Sequence, residues 1–63
     1  MRFYLGQVYE GKFEQGARRA AVAQTRDNGR AGLLRFLDTN DEEWFGWQQL
    51  HHDSKWRRVD ADV

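Results

Sequence analysis

Residues 17–37, ARRAAVAQTRDNGRAGLLRFL, decide the fold. Two readings compete for the first ten of them. Alanine, arginine and glutamine are strong helix formers, Glu14 and Arg18 stand at a favourable i,i+4 spacing, and Asn28-Gly29 fits a left-handed helix C-cap. Against the helix, no Ser, Thr, Asp or Asn occupies an N-cap position, and the apolar stripe would be alanine with little to bury. The strand reading takes Asn28-Gly29 as a type I′ hairpin turn in which Asp27 faces Arg30. Thr25, Ala23 and Ala21 then oppose Gly32, Leu34 and Phe36, small residues against large ones. Arg26, Gln24, Val22, Ala20 and Arg18 fall on a mixed, partly solvated side with Arg35. The strand is preferred; the alternative is an α+β fold with a helix at about residues 14–27.

Downstream, Leu33 to Leu37 reads as a strand closed by the turn residues Asp38-Thr39-Asn40-Asp41. Glu42 to Leu50 continues the ribbon, with Trp44 and Gly46 on one side and Phe45 and Trp47 on the other; Gln48-Gln49-Leu50 fits either strand or a short helical turn. After the polar stretch His51 to Ser54, Lys55 to Val59 reads as a short last strand with Trp56 inward, and residues 60–63 as a frayed tail. Upstream, residues 1–13 alternate as a strand, with Phe3, Leu5 and Tyr9 on one side and Tyr4 and Val8 on the other. Gly6 and Gly11 mark bends.

The sum is one all-β domain spanning residues 1–63, a small five-stranded antiparallel barrel. Gly6-Gln7-Val8-Tyr9, the hairpin around Asn28-Gly29 and the closing Trp56-Arg57-Arg58-Val59 resemble the SH3-like barrels of small phage- and mobile-element-encoded proteins. That resemblance implies an SH3-like fold and a phage or mobile-element setting. It carries over no functional residue, because the matching positions are ones any small barrel uses.

A chain of 63 residues buries only about 60% of the surface its unfolded form exposes, so it needs dense packing or outside help. With no cysteine, disulfides and thiolate zinc sites are excluded. The three Trp, two Tyr and four Phe supply the packing instead, and self-association remains a further source of stability. Ten basic and ten acidic residues cancel, so no long-range field draws the chain to nucleic acid or anionic lipid, and partners are to be recognised by local patches. No apolar run approaches the ~20 residues of a membrane span. Nor does the N-terminus have the apolar core and cleavage site of a signal peptide, and a cytoplasmic setting is expected.

Four groups of residues invite a functional reading. Trp44 and Trp47 with Arg35 form a candidate protein-contact surface at the ribbon edge, Trp44 being the ring expected outside if Phe45 and Trp47 turn inward. Arg18, Arg26 and Arg35 on one face, with Arg57 and Arg58 at the end, form a candidate nucleic-acid face. The acids Asp27, Asp38, Asp41, Glu42 and Glu43 around it favour a solvated, salt-bridged surface instead. Trp44, Phe45, Trp47 and Trp56 with Glu43 have the makings of an aromatic cage, but so small a chain needs those rings for its core. His51-His52-Asp53 is the one metal-like cluster; neighbouring imidazoles in extended chain point apart, so no metal is expected. Ser54 is the sole serine, and the glycines make no phosphate loop. The sequence therefore implies no catalytic residue, no cofactor and no small-molecule substrate. The expectation is a non-enzymatic protein-binding or self-associating module, with an arginine-faced nucleic-acid binder as the alternative.

Overall fold

The computed structural model describes residues 2–59. Five strands, β1 (Val8–Phe13), β2 (Gly16–Arg26), β3 (Ala31–Phe36), β4 (Glu42–Gly46) and β5 (Trp56–Arg58), form one antiparallel sheet in the order β4-β3-β2-β1-β5. One short helix, α1 (Trp47–His52), joins β4 to β5. This is an all-β fold of SH3-like barrel form: a meander of four strands followed by a fifth that returns to the edge of β1.

The disputed segment is strand. The turn residues decide it, because Asn28 and Gly29 both adopt positive φ (57° and 85°) and Arg30 N donates to Asp27 O at 3.1 Å, which is hairpin geometry. Glycine is required at position 29. Its backbone is left-handed, and an added Cβ would stand 2.6 Å from Arg2 Cβ and 2.8 Å from Phe3 O. That close approach lets Phe3 N donate to Gly29 O at 2.7 Å and seats the N-terminal segment on the hairpin.

The expected register holds only next to the turn. Arg26 pairs with Ala31, Thr25 with Gly32 and Gln24 with Leu33; a bulge then takes up Ala23, so that Val22 meets Leu34 and Ala20 meets Phe36. One extra residue reverses the parity of everything before it. Ala20 and Val22, expected on the partly solvated side, are therefore core residues at 0% and 3% exposure, and Ala21 faces outward opposite Arg35. Small still faces large across the core, but through Ala20 and Phe36.

Three further expectations are corrected. The first strand begins at Val8, because residues 4–7 form a turn: Gln7 N donates to Tyr4 O, and the buried Gln7 Oε1 accepts from Tyr4 N at 2.8 Å and from Tyr9 Oη at 3.3 Å. Leu5, expected beside Phe3 and Tyr9, consequently projects into solvent. The ribbon stops at Gly46, and Trp47 opens α1 where the expectation placed it on a strand. The expected fraying of residues 60–63 lies outside the described residues.

The core consists of Phe3, Tyr9, Ala20, Val22, Leu34, Phe36 and Leu50, with Phe13, Phe45, Trp47 and Trp56 packed against it. Rings dominate it: Trp56 makes edge contacts with Phe13 and Phe45, each at 5.6 Å between centroids, and so spans the gap between β5 and β4. Aromatic burial takes the place of the missing disulfides. No helix among the described residues is long and apolar enough to cross a membrane.

Candidate functional site

The two terminal strands of the sheet are β4 and β5, and β4 presents the more unusual edge. Phe36 N donates to Asp41 O and Trp47 N to Arg30 O, so the hydrogen-bonded pairs along this ribbon are those of Asp41, Glu43, Phe45 and Trp47 with β3 and its flanks. Alternation then turns the backbone N–H and C=O groups of Glu42 and Trp44 away from β3, toward the free edge.

The side chains of the same residues build the outer face beside that edge. Trp44 lies directly opposite Leu33, which is 8% exposed yet outside the core cluster, while Trp44 itself is 36% exposed. The Arg26 guanidinium sits 4.2 Å from the centre of a Trp44 ring. Arg35, opposite Glu42, gives both its Nε (2.9 Å) and its Nη2 (2.7 Å) to Glu42 Oε2. Of the proposed contact residues, the structure thus brings Trp44 and Arg35 together with Arg26 on one outer surface. Trp47 is elsewhere: it stacks on His51 at 3.9 Å and 24°, packs against the core, and lines a shallow cleft of about 590 Å³ with Arg30, Gly46, Gln48 and Gln49.

The arginines do not form the single face expected of them. The bulge at Ala23 puts Arg18 on the core side, where its guanidinium lies 4.2 Å from the Phe36 ring and 5.3 Å from that of Phe13. There it grips Asp38 through two hydrogen bonds of 2.9 and 3.1 Å, and this pairing holds the Asp38 carboxyl below its usual range. Arg26 and Arg35 stay on the outer face. Arg57 donates to Glu10 at 3.1 Å, and Glu10 also accepts from Arg19 at 3.2 Å; the two arginines, Arg19 foremost, depress its pKa. Arg58 is exposed on β5 opposite Tyr9.

The aromatic cluster also divides. Phe45 and Trp56, with Phe13 and Phe36, floor a cleft of about 260 Å³ between β4 and β5, rimmed by Asp41, Glu42 and Glu43 on one side and Arg18 and Lys55 on the other. The chain's own cations occupy the ring faces, Lys55 Nζ standing 4.5 Å from the Phe13 centre as Arg18 does over Phe36. Two rings proposed for the cage, Trp44 and Trp47, take no part in it. His51 is edge-on to Tyr9 as well as stacked on Trp47, and partial burial lowers its pKa. Among the described residues no group of three or more His, Asp or Glu side chains gathers as metal ligands would.

Sequence reasoning missed the edge polarity of β4, since hydrogen-bond parity follows from pairing and not from composition. The acidic entry Asp41-Glu42-Glu43 was visible, but only as charges opposing a phosphate chain. Comparison of the chain with models of known protein families, with curated proteins and with solved structures yields no match.

Proposed function

We propose that this protein is a small non-catalytic module that makes protein contacts through the β4 edge and the outer surface beside it. One observation carries the reading. Trp44 is exposed on a terminal strand whose backbone groups at Glu42 and Trp44 point away from the sheet, so one short segment offers both main-chain pairing and an aromatic anchor. Edge pairing with an extended segment draws affinity from the main chain and specificity from alternate side chains. Tryptophan is among the commonest energetic anchors of protein interfaces. Natural proteins usually blunt such an edge, and here the acids Glu42 and Glu43 do so only against partners that bring no positive charge.

Selection of random extended peptides on the wild-type chain and on Trp44→Ser, together with sedimentation at several concentrations, tests the reading. Peptide enrichment or self-association that the substitution abolishes, with the fold intact by circular dichroism, supports it. A strict monomer that enriches no peptide overturns it. The nucleic-acid reading draws less support from the geometry, because Arg18, Arg35 and Arg57 are already bound to carboxylates and Arg18 lies on the core side.

A further inference from the structure

Away from β4, the outer surface over β1 gathers positive charge. Glu10 and Lys12 alternate with the inward Tyr9, Gly11 and Phe13, and Glu10 stands opposite Arg19 of β2 on one side and Arg57 of β5 on the other. One step along, Lys12 faces Ala17 on β2, and its N donates to Lys55 O at 3.0 Å, so that two lysines lie directly across from each other. The small Ala17 leaves a cleft of about 290 Å³ lined by Glu10, Lys12, Ala17, Ser54, Lys55 and Arg57. We propose that this cleft binds a phosphate monoester, held by Lys12, Lys55 and Arg57 together with the Ser54 hydroxyl.

Charge balance comes first. The Glu10 carboxylate is already met by Arg19 Nε at 3.2 Å and Arg57 Nη2 at 3.1 Å. The other acid beside the site, Asp53, spends Oδ1 on the backbone N of Lys55 at 3.1 Å. Four cations, Lys12, Arg19, Lys55 and Arg57, therefore surround one carboxylate in a chain whose formal charge sums to zero. Like charges directly opposite destabilise a ladder, and nothing of opposite sign stands between Lys12 and Lys55. The Lys55 ammonium rests 4.5 Å from the centre of the Phe13 ring, a contact that brings no countercharge. Among the described residues neither Lys12 Nζ nor Ser54 Oγ has a hydrogen-bond or ion-pair partner.

The donors match one ligand chemistry. A phosphate monoester carries about −1.5 to −2 at neutral pH on three terminal oxygens, enough to offset both lysines, whereas a carboxylate or a phosphodiester brings a single charge. Arg57 keeps donors beyond the nitrogen given to Glu10, each ammonium has three, and the hydroxyl adds one. Cβ atoms directly opposite lie about 5 Å apart and those two residues along a strand about 7 Å, so the long side chains of Lys12, Lys55 and Arg57 reach one tetrahedral group with no change of backbone.

Amide chemical-shift titration of the full chain with inorganic phosphate, a phosphoserine peptide and dimethyl phosphate, at constant ionic strength, tests the proposal. The two monoester-type probes should move the resonances of Lys12, Ser54, Lys55 and Arg57, and dimethyl phosphate should not. Affinity should rise as pH rises through about 6, where the second phosphate proton leaves. Lys12→Gln should weaken binding about tenfold, yet leave the ligand-free protein at least as stable as the wild type, since the repulsion from Lys55 goes with the charge. Lys55→Gln should weaken binding likewise, while Arg2→Gln, at the Asn28-Gly29 end, should change nothing. A peptide that binds more tightly than inorganic phosphate supports a phosphorylated protein partner; equal affinities support a small phosphorylated ligand. Shifts that follow ionic strength alone overturn the proposal, as does a loss of affinity no greater in Lys12→Gln than in Arg2→Gln. Binding of dimethyl phosphate, or of an oligonucleotide without a terminal phosphate, as tight as that of the monoesters overturns it in favour of a phosphodiester backbone.

Discussion

Arg26 lies 4.2 Å over a ring of Trp44, a residue on a different strand, so the one exposed tryptophan is held from the side by a cation and not from beneath by the core. A cation–π contact at an exposed site is worth about 0.5–1 kcal/mol. Arg26→Ala should therefore lower stability by about that amount, shift Trp44 emission to the red and make it more accessible to acrylamide. Trp44→Ser should cost more than Arg26→Ala, because Leu33 opposite it loses cover. Unchanged emission in Arg26→Ala would mean that the contact does not persist in solution.

Arg18 has a different task. Its guanidinium lies 4.2 Å from the centre of the Phe36 ring and is doubly bonded to Asp38, tying β2 to the turn that follows β3. A planar fork does both at once, and an ammonium does not. Arg18→Lys should lower the melting temperature measurably although charge is kept, and Arg18→Ala should lower it further. If Arg18→Lys melts like the wild type, the stacking geometry contributes nothing.

At the hairpin, Gly29→Ala combines positive φ with a Cβ 2.8 Å from Phe3 O, a contact with backbone that cannot swing aside. The conformational part alone costs about 1–3 kcal/mol, a large share of the ~5 kcal/mol at the low end for native domains. Gly32→Ala meets the Phe3 ring at 2.8 Å and should also release the N-terminal segment. Chemical denaturation of both variants, followed by the resonances of Phe3, checks this: loss of Phe3 contacts before the global transition is expected.

Acid should lower stability over two separate pH ranges. Burial lowers the His51 pKa, so the neutral ring is favoured in the fold; its contribution is present above the ordinary imidazole value of 6.5 and is lost as pH falls below it. Glu10, held down by hydrogen bonds from Arg19 and Arg57, and Asp38, held down by Arg18, contribute above their ordinary values of 4.5 and 3.8. That support disappears as pH falls through their lowered values. Thermal melts from neutral pH downward should show both declines. His51→Gln should remove the first, and Arg19→Ala with Arg57→Ala should shrink the second.

How much of this was legible in the sequence depends on the range of the physics involved. The hairpin was, because Asn28-Gly29 carries its backbone geometry locally. The exposure of Trp44 followed from parity within a single strand. The helix at Trp47–His52 has Gly46 at its N-cap and makes no side-chain capping hydrogen bond, so nothing local announces it beyond the short-turn option at Gln48-Gln49-Leu50. Tertiary packing sets it, through Leu50 in the core and the Trp47–His51 stack. The arginine face failed for one reason, the bulge at Ala23. In a run of Ala20-Ala21-Val22-Ala23 every alternative residue is small, and no side chain states which one is extra.

That bulge can be tested by removing it. With Ala23 deleted, an unbroken ladder from Asn28-Gly29 sets Thr25 opposite Gly32, Gln24 opposite Leu33, Val22 opposite Leu34 and Ala20 opposite Phe36, the pairs that the bulged strand already makes. Val22 and Ala20 therefore keep their places in the core, and only the local bend and twist that the extra residue adds are lost. The deletion should leave a dispersed amide spectrum with Arg18 still beside Phe36. Replacing Ala23 by Gly retains the count of residues and should leave the fold intact as well. A collapsed spectrum for the deletion alone would show instead that the bend at Ala23, and not the register by itself, is needed to close the sheet over its core.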